Sequence, residues 1–133
     1  MRSNQLKVTS AWFTKKIAAI ARSLPELNEF TSLTVVLVGA AEGQALNKTH
    51  RRKNYATDVL SFAAVEEGSL GELVFCSPVL KSQAKEHKLR EKEELLYLLI
   101  HGVLHLLGYD HEKSDKEARV MYRLQDRIFE QLR

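Results

Sequence analysis

Three of the five histidines in this chain lie in one short segment, HGVLHLLGYDH, at positions His101, His105 and His111. On a helix, His101 and His105 stand one turn apart, so their side chains project from the same face and can reach one ion. Gly108 allows the chain to reverse after this helix, which brings His111 toward the pair. Three imidazoles with an open fourth position are typical of a catalytic zinc ion with a bound water. The segment therefore predicts one zinc ion per chain.

The ordinary interpretation of a histidine on an apolar helix is a core residue whose ring nitrogens are satisfied by the protein. Here two histidines, His101 and His105, lie inside the apolar stretch LLYLLIHGVLHLL. Burying their nitrogens would cost free energy unless a partner compensates, and a metal ion is such a partner. We therefore expect both helical imidazoles to be buried and to bind metal.

The histidine spacing also matches the extended motif of zinc proteases, whose general base is a glutamate directly after the first histidine. That position is occupied here by Gly102, so the motif itself supplies no carboxylate to activate water. Zinc deaminases require a cysteine pair, and the chain has only Cys76. A divergent protease that takes its base from Asp110 or Glu112 remains an alternative.

The apolar pattern predicts a mixture of helices and strands. The run LTVVLV is rich in β-branched residues and stops at Gly39, as a strand does. Ser77-Pro78 is a helix start, with serine as N-cap and proline at the first helical position. Runs of strands and runs of helices favour the α+β class. The predicted strands cover 5–10, 33–38, 59–63 and 70–76, and the predicted helices cover 12–24, 41–51, 77–87, 90–107 and 115–131, the last with Val120, Met121, Leu124 and Ile128 as its buried face.

Length and composition predict one globular domain over residues 1–133. The single cysteine, Cys76, excludes an internal disulfide and a thiolate zinc cluster within one chain, and it favours a reducing compartment. The N-terminal segment lacks the features of a signal peptide, and the longest apolar run, LLYLLI, is too short to span a bilayer. We therefore expect a cytoplasmic protein without membrane association and without a disulfide-linked partner.

Two segments of the sequence resemble the YbeY endoribonuclease family. The segment HGVLHLLGYDH is similar to that family's metal-binding signature, and LNKTHRRKNYATDVLSF, over 46–62, is similar to a second family block. Gly71-Glu72-Leu73 resembles the strand that follows this block. Two departures occur in the second block: His50 stands where an aromatic residue is usual, and Ala56 replaces the proline before Thr57.

The resemblance implies a zincin-like fold, in which a mixed four-stranded sheet packs around a central metal-binding helix. It implies zinc binding by His101, His105 and His111, and a functional arginine near the metal at Arg51. The implied activity is cleavage of single-stranded RNA in 16S rRNA 3′-end maturation and ribosome quality control. The small ribosomal subunit would then be a partner.

The chemistry of the remaining polar residues fits this expectation. Arg51 can neutralise the charge that develops on an attacked phosphodiester, and Arg52 and Lys53 extend it into a short basic run that can bind RNA. Asp110 is expected to hold a histidine tautomer or to cap the turn before His111. A different function class also remains open: a ribosome-assembly factor that binds RNA and in which zinc is only structural.

Overall fold

In the computed structural model, residues 8–51 and 59–133 are described, and they form a mixed α and β structure. The α+β prediction is therefore confirmed. In chain order the elements are α1 (Ser10–Ser23), a short 3-10 helix (Pro25–Glu29), β1 (Ser32–Val38), α2 (Ala40–Arg51), β2 (Val59–Ala63), β3 (Ser69–Cys76), α3 (Ser77–His87), α4 (Glu91–Leu106) and α5 (Asp115–Leu132).

Strand β3 is the centre of the sheet, which has the order β1-β3-β2. It pairs in parallel with β1 and in antiparallel with β2, so the predicted mixed sheet is confirmed. Within the described ranges the sheet has three strands, not the four that we expected. The expected extra strand, 5–10, lies largely outside the described residues. The part of this segment that is described leads into α1 instead of forming a strand. Thr9 is the N-cap of α1, and its Oγ1 accepts a hydrogen bond from the backbone N–H of Trp12.

Helix α4 is the central helix, since it contacts α3, α5, β2 and β3. Its start is fixed by the carboxylate of Glu93, whose Oε1 accepts a hydrogen bond of 3.0 Å from the backbone N–H of Arg90. This bond lowers the pKa of Glu93 below its ordinary value. Beyond the first turn, the helix buries an almost continuous apolar surface that includes Leu95, Leu99 and Val103. The histidine-bearing helix therefore packs against the core along most of its length.

Two local predictions are wrong. Ser77 is the first residue of α3 and Cys76 is its N-cap, without a side-chain hydrogen bond at the cap. On α5, Met121 and Ile128 are buried as predicted, but Val120 is 51% exposed. The buried face instead continues through Gln125, which is 1% exposed, because positions i, i+4 and i+7 share one helical face. None of the described helices is long and apolar enough to cross a membrane.

Candidate metal centre

His101 and His105 lie in the last part of α4, on the side of the helix that faces an opening rather than the core. His101 is partly buried and His105 is exposed. The expectation that both imidazoles would be buried is therefore wrong for His105. The helical period explains the difference: the apolar residues around the two histidines turn into the core, while the i, i+4 face remains accessible.

The turn after α4 returns His111 to this face. Gly108 has a φ of 109°, a left-handed conformation that a side chain would disfavour, and its N–H donates to the carbonyl of His105. Asp110 then caps the next bend, since its Oδ1 accepts a 2.9 Å hydrogen bond from the backbone N–H of Glu112. The predicted glycine reversal is present, and the turn-capping alternative for Asp110 matches this geometry.

All three predicted metal ligands line one pocket of about 150 Å³. The ring centroid of His111 lies 5.0 Å from that of His101 and 6.4 Å from that of His105. The opposite wall comes from β2, and the exposed carboxylate of Glu112 stands at the edge, with Oε1 3.8 Å from His111 Nε2. The described β2 residues on this wall are Val59, Leu60 and Ser61.

The three imidazoles of this pocket are chemically suited to a metal, but the structure does not place them in a ready-made ligand cluster. Within the described ranges, no group of three His, Cys, Asp or Glu side chains is arranged to hold an ion as it stands. The ring centroid of His111 lies farther from that of His105, at 6.4 Å, than from that of His101, at 5.0 Å. However, Nδ1 of His111 is buried and has no hydrogen-bond partner among the described residues. In the tautomer that carries its proton on Nε2, this nitrogen has the lone pair that a metal ion needs.

Gln125 of α5 is a site residue that sequence reasoning missed. Its Oε1 lies 3.0 Å from His101 Nδ1, and its Nε2 donates to the backbone carbonyl of Tyr97 at 3.4 Å. Because the amide N–H₂ group is directed at a carbonyl, Oε1 is the acceptor for the N–H at His101 Nδ1. This arrangement leaves the lone pair of His101 on Nε2, as expected for a metal ligand with an outer hydrogen-bond partner. In the sequence, the feature that could have identified Gln125 is a glutamine within the apolar face of α5.

Two tyrosines complete the surroundings of His101. Tyr122 stacks on this imidazole, with ring centroids 6.0 Å apart and an interplanar angle of 26°. Tyr97 donates its O–H to Asp126 Oδ1 at 3.0 Å. Burial and this hydrogen bond raise the pKa of Tyr97 well above its ordinary value, so its phenol stays protonated. These contacts further restrict the orientation of the helix pair that carries the site.

Gly102, between the two helical histidines, packs against the sheet. A Cβ atom at this position would lie 2.6 Å and 2.9 Å from the two Cδ atoms of Leu73, a fully buried residue of β3. A glutamate at this position, like the general base of the zinc proteases, would therefore require the buried Leu73 to move. Glycine at this position lets the helix pack closely against the sheet.

The predicted RNA-facing residues are located less completely. Arg51 is the last residue of α2, and its side chain is outside the described part of the structure. Arg52 and Lys53 lie outside the described residues altogether. Their predicted roles therefore stay predictions.

Comparison with known proteins agrees with the motif resemblance and extends it over the whole chain. The family described as endoribonuclease YbeY matches residues 1–133. The endoribonuclease YbeY of Bdellovibrio bacteriovorus is 57% identical over 100 residues, which cover 75% of this chain and 67% of the relative. The endoribonuclease YbeY of Persephonella marina is 43% identical over 129 residues, with 90% and 84% covered.

A solved structure shares the fold. The solution structure of a Thermotoga maritima protein superposes with a TM-score of 0.66 at 31% identity, over 94% of this chain and 83% of that one. Together with the match over residues 1–133, these similarities place the chain in the endoribonuclease YbeY family of nucleases.

Proposed function

We propose that this protein is a zinc-dependent endoribonuclease that cleaves single-stranded RNA, acting in the cytoplasm as one domain over residues 1–133. The observation that carries the proposal is the convergence of His101, His105 and His111 on one open pocket. Family membership adds the substrate class, since the relatives are named endoribonucleases. The proposed biological substrate is the 3′ end of 16S rRNA, and the proposed context is small-subunit maturation and ribosome quality control.

The three histidines would hold the ion, and Gln125 would orient the ring of His101. A bound zinc ion would supply Lewis-acid activation of water near neutral pH, without a strong protein base. Among the described residues that line the pocket, Glu112 is the one carboxylate, and it would be the candidate to accept a proton from the attacking water. This division of roles requires no side chain at position 102.

Two alternatives are separated from this proposal by one experiment. Zinc-loaded protein is incubated with single-stranded RNA, with duplex RNA and with unfolded peptides, each with and without a chelator. We expect chelator-sensitive cleavage of single-stranded RNA alone. Peptide cleavage would instead indicate the divergent protease, and RNA binding without cleavage would indicate an assembly factor with structural zinc. Sequencing of the products from small-subunit precursor particles would locate the cut.

Gln125→Leu tests how the site is oriented. The variant removes the acceptor at His101 Nδ1, and loss of such an outer partner typically weakens metal affinity by about 10- to 100-fold. We expect that loss in a zinc-competition titration, while Gln125→Glu, which retains an acceptor oxygen, should lose less. Equal zinc affinity in the Gln125→Leu variant and the wild type would show that the His101–Gln125 hydrogen bond has no effect on the metal.

Arg51→Ala tests the proposed phosphate contact. Removal of one positioned donor to developing negative charge commonly lowers kcat by about 100-fold or more. We expect a decrease of this size in RNA cleavage with unchanged zinc content. Lys48→Ala is the matched control, because Lys48 is an exposed cation on the same helix. If both variants cleave like the wild type, Arg51 has no part in the reaction.

A further inference from the structure

A second pocket, of about 270 Å³, lies beside the histidine pocket and shares His101, His111 and Val59 with it. Its polar lining comes from the start of α4, the end of α3 and the middle of α5. We call it the Glu94 pocket, and its distinguishing residues are Glu94, His87, Gln83, Tyr97, Tyr122 and Gln125.

The unusual residue here is Glu94, a carboxylate that is 1% exposed. Its Oε1 lies 2.8 Å from Nδ1 of His87, which is 53% exposed, as expected for a histidine in the charged segment KEHKLREKEE. Its Oε2 is buried and has no hydrogen-bond partner among the described residues. A buried acceptor without a donor is unfavourable, and carboxylate oxygens accept the strongest hydrogen bonds. Glu94 lines the pocket, so a small displacement of its side chain would present this acceptor to a ligand with N–H or O–H donors.

The rest of the pocket fits a planar, partly apolar ligand. Tyr122 is 39% exposed and lies on the boundary with the metal centre, where it stacks on His101. Val59 and Leu98 supply apolar surface, and Gln83 supplies a side-chain amide. An aromatic face, apolar walls and a buried acceptor are the features by which proteins bind unstacked nucleobases.

We propose that the Glu94 pocket binds one nucleobase of the RNA strand, adjacent to the phosphate that is cleaved, by accepting an N–H hydrogen bond at Glu94 Oε2. This inference rests on the proposed function, because it takes RNA as the substrate. The ring N–H of uracil or guanine lies on the Watson–Crick edge, which is occupied in a duplex. Recognition of that edge provides a physical reason for selecting single strands, since a paired base cannot enter the pocket.

The test measures equilibrium binding of short single-stranded RNA to the metal-free protein, so that it does not depend on cleavage. Glu94→Met removes the acceptor and keeps the side-chain length. We expect it to weaken binding by about tenfold, the effect of losing one hydrogen bond to a charged group. Glu94→Gln, which keeps the shape of the carboxylate, takes the place of Glu94→Met in this binding measurement if the methionine variant does not fold. Glu91→Met is the matched control, an exposed glutamate in the same helical turn, and should bind like the wild type.

A second measurement distinguishes base recognition from a structural role of Glu94. Oligonucleotides in which one uridine or guanosine carries a methyl group on its ring nitrogen are compared with the unmodified strands. When the methyl group is on the base that enters the pocket, it should weaken binding to the wild type about tenfold. It should weaken binding to the Glu94→Met variant less than about twofold, because that variant already lacks the hydrogen bond that the methyl group removes. Equal methylation penalties in both proteins, or no RNA binding by the wild type, would overturn the inference.

The outcomes for the two proposals are separable. Zinc-dependent cleavage with equal methylation penalties would retain the endoribonuclease and reject the base pocket. A methylation penalty that is large in the wild type and small in Glu94→Met, without any RNA cleavage, would support the base pocket and contradict the proposed endoribonuclease activity.

Discussion

Replacement of His105 with alanine should abolish RNA cleavage and leave the fold intact. Loss of one of the three proposed ligands would remove the proposed zinc ion. Metal activation typically supplies several kcal/mol of transition-state stabilisation, so we expect a decrease of about a thousandfold or more. The imidazole is exposed, and its removal opens no cavity in the core. Cleavage of a labelled single-stranded RNA, zinc content and thermal unfolding should be measured on the same preparation.

The structural-zinc alternative predicts a different result for this variant. A zinc ion that holds the fold together would contribute folding free energy directly, so loss of a ligand would unfold the protein. Here α4 is fixed by its apolar contacts with the sheet and with α5, independently of the ion. Lys92→Ala, at an exposed position of the same helix, is the control and should change neither property. Unfolding of His105→Ala at room temperature would favour the structural alternative.

Much of the fold was predictable from local chemistry. The β-branched run at 33–38 became β1, and the strands at 59–63 and 70–76 became β2 and β3 with nearly the predicted ends. Pro25 follows the end of α1, and Gly108 reverses the chain after α4. These features depend on the backbone preferences of a few neighbouring residues, which is the information that a single sequence contains.

The features that sequence reasoning missed depend on contacts between distant elements. Gln125 is 24 positions from His101, and nothing local indicates that its amide meets that imidazole. His87 is exposed, as its charged neighbours predict, but nothing local indicates that its Nδ1 contacts the buried Glu94 of α4. The buried face of α5 runs through Met121, Gln125 and Ile128 rather than Val120, and α4 packs against this helix.

The difference between this site and a zinc protease should be tested at Gly102. Gly102→Glu would restore the residue that proteases use as general base, at the position that follows the first histidine. We expect a loss of folding stability of at least about 3 kcal/mol, because the new side chain overlaps the buried Leu73 and brings a carboxylate into the core. The higher helix propensity of glutamate offsets at most about 1 kcal/mol of this loss. Chemical unfolding measures the effect.

Gly39→Glu is the matched control for this substitution. A Cβ atom at Gly39 meets nothing within 4 Å, and the residue is exposed just before α2, so the same chemical change should alter stability by less than about 1 kcal/mol. A folded Gly102→Glu protein with wild-type stability would show that α4 can move away from β3, and the packing explanation would then fail. If the Gly102→Glu variant also cleaved peptides, the missing glutamate alone would explain why the wild type is not a protease, without any role for packing. A large loss of stability at Gly102 and almost none at Gly39 would instead show that the closeness of helix and sheet excludes the protease chemistry from this site.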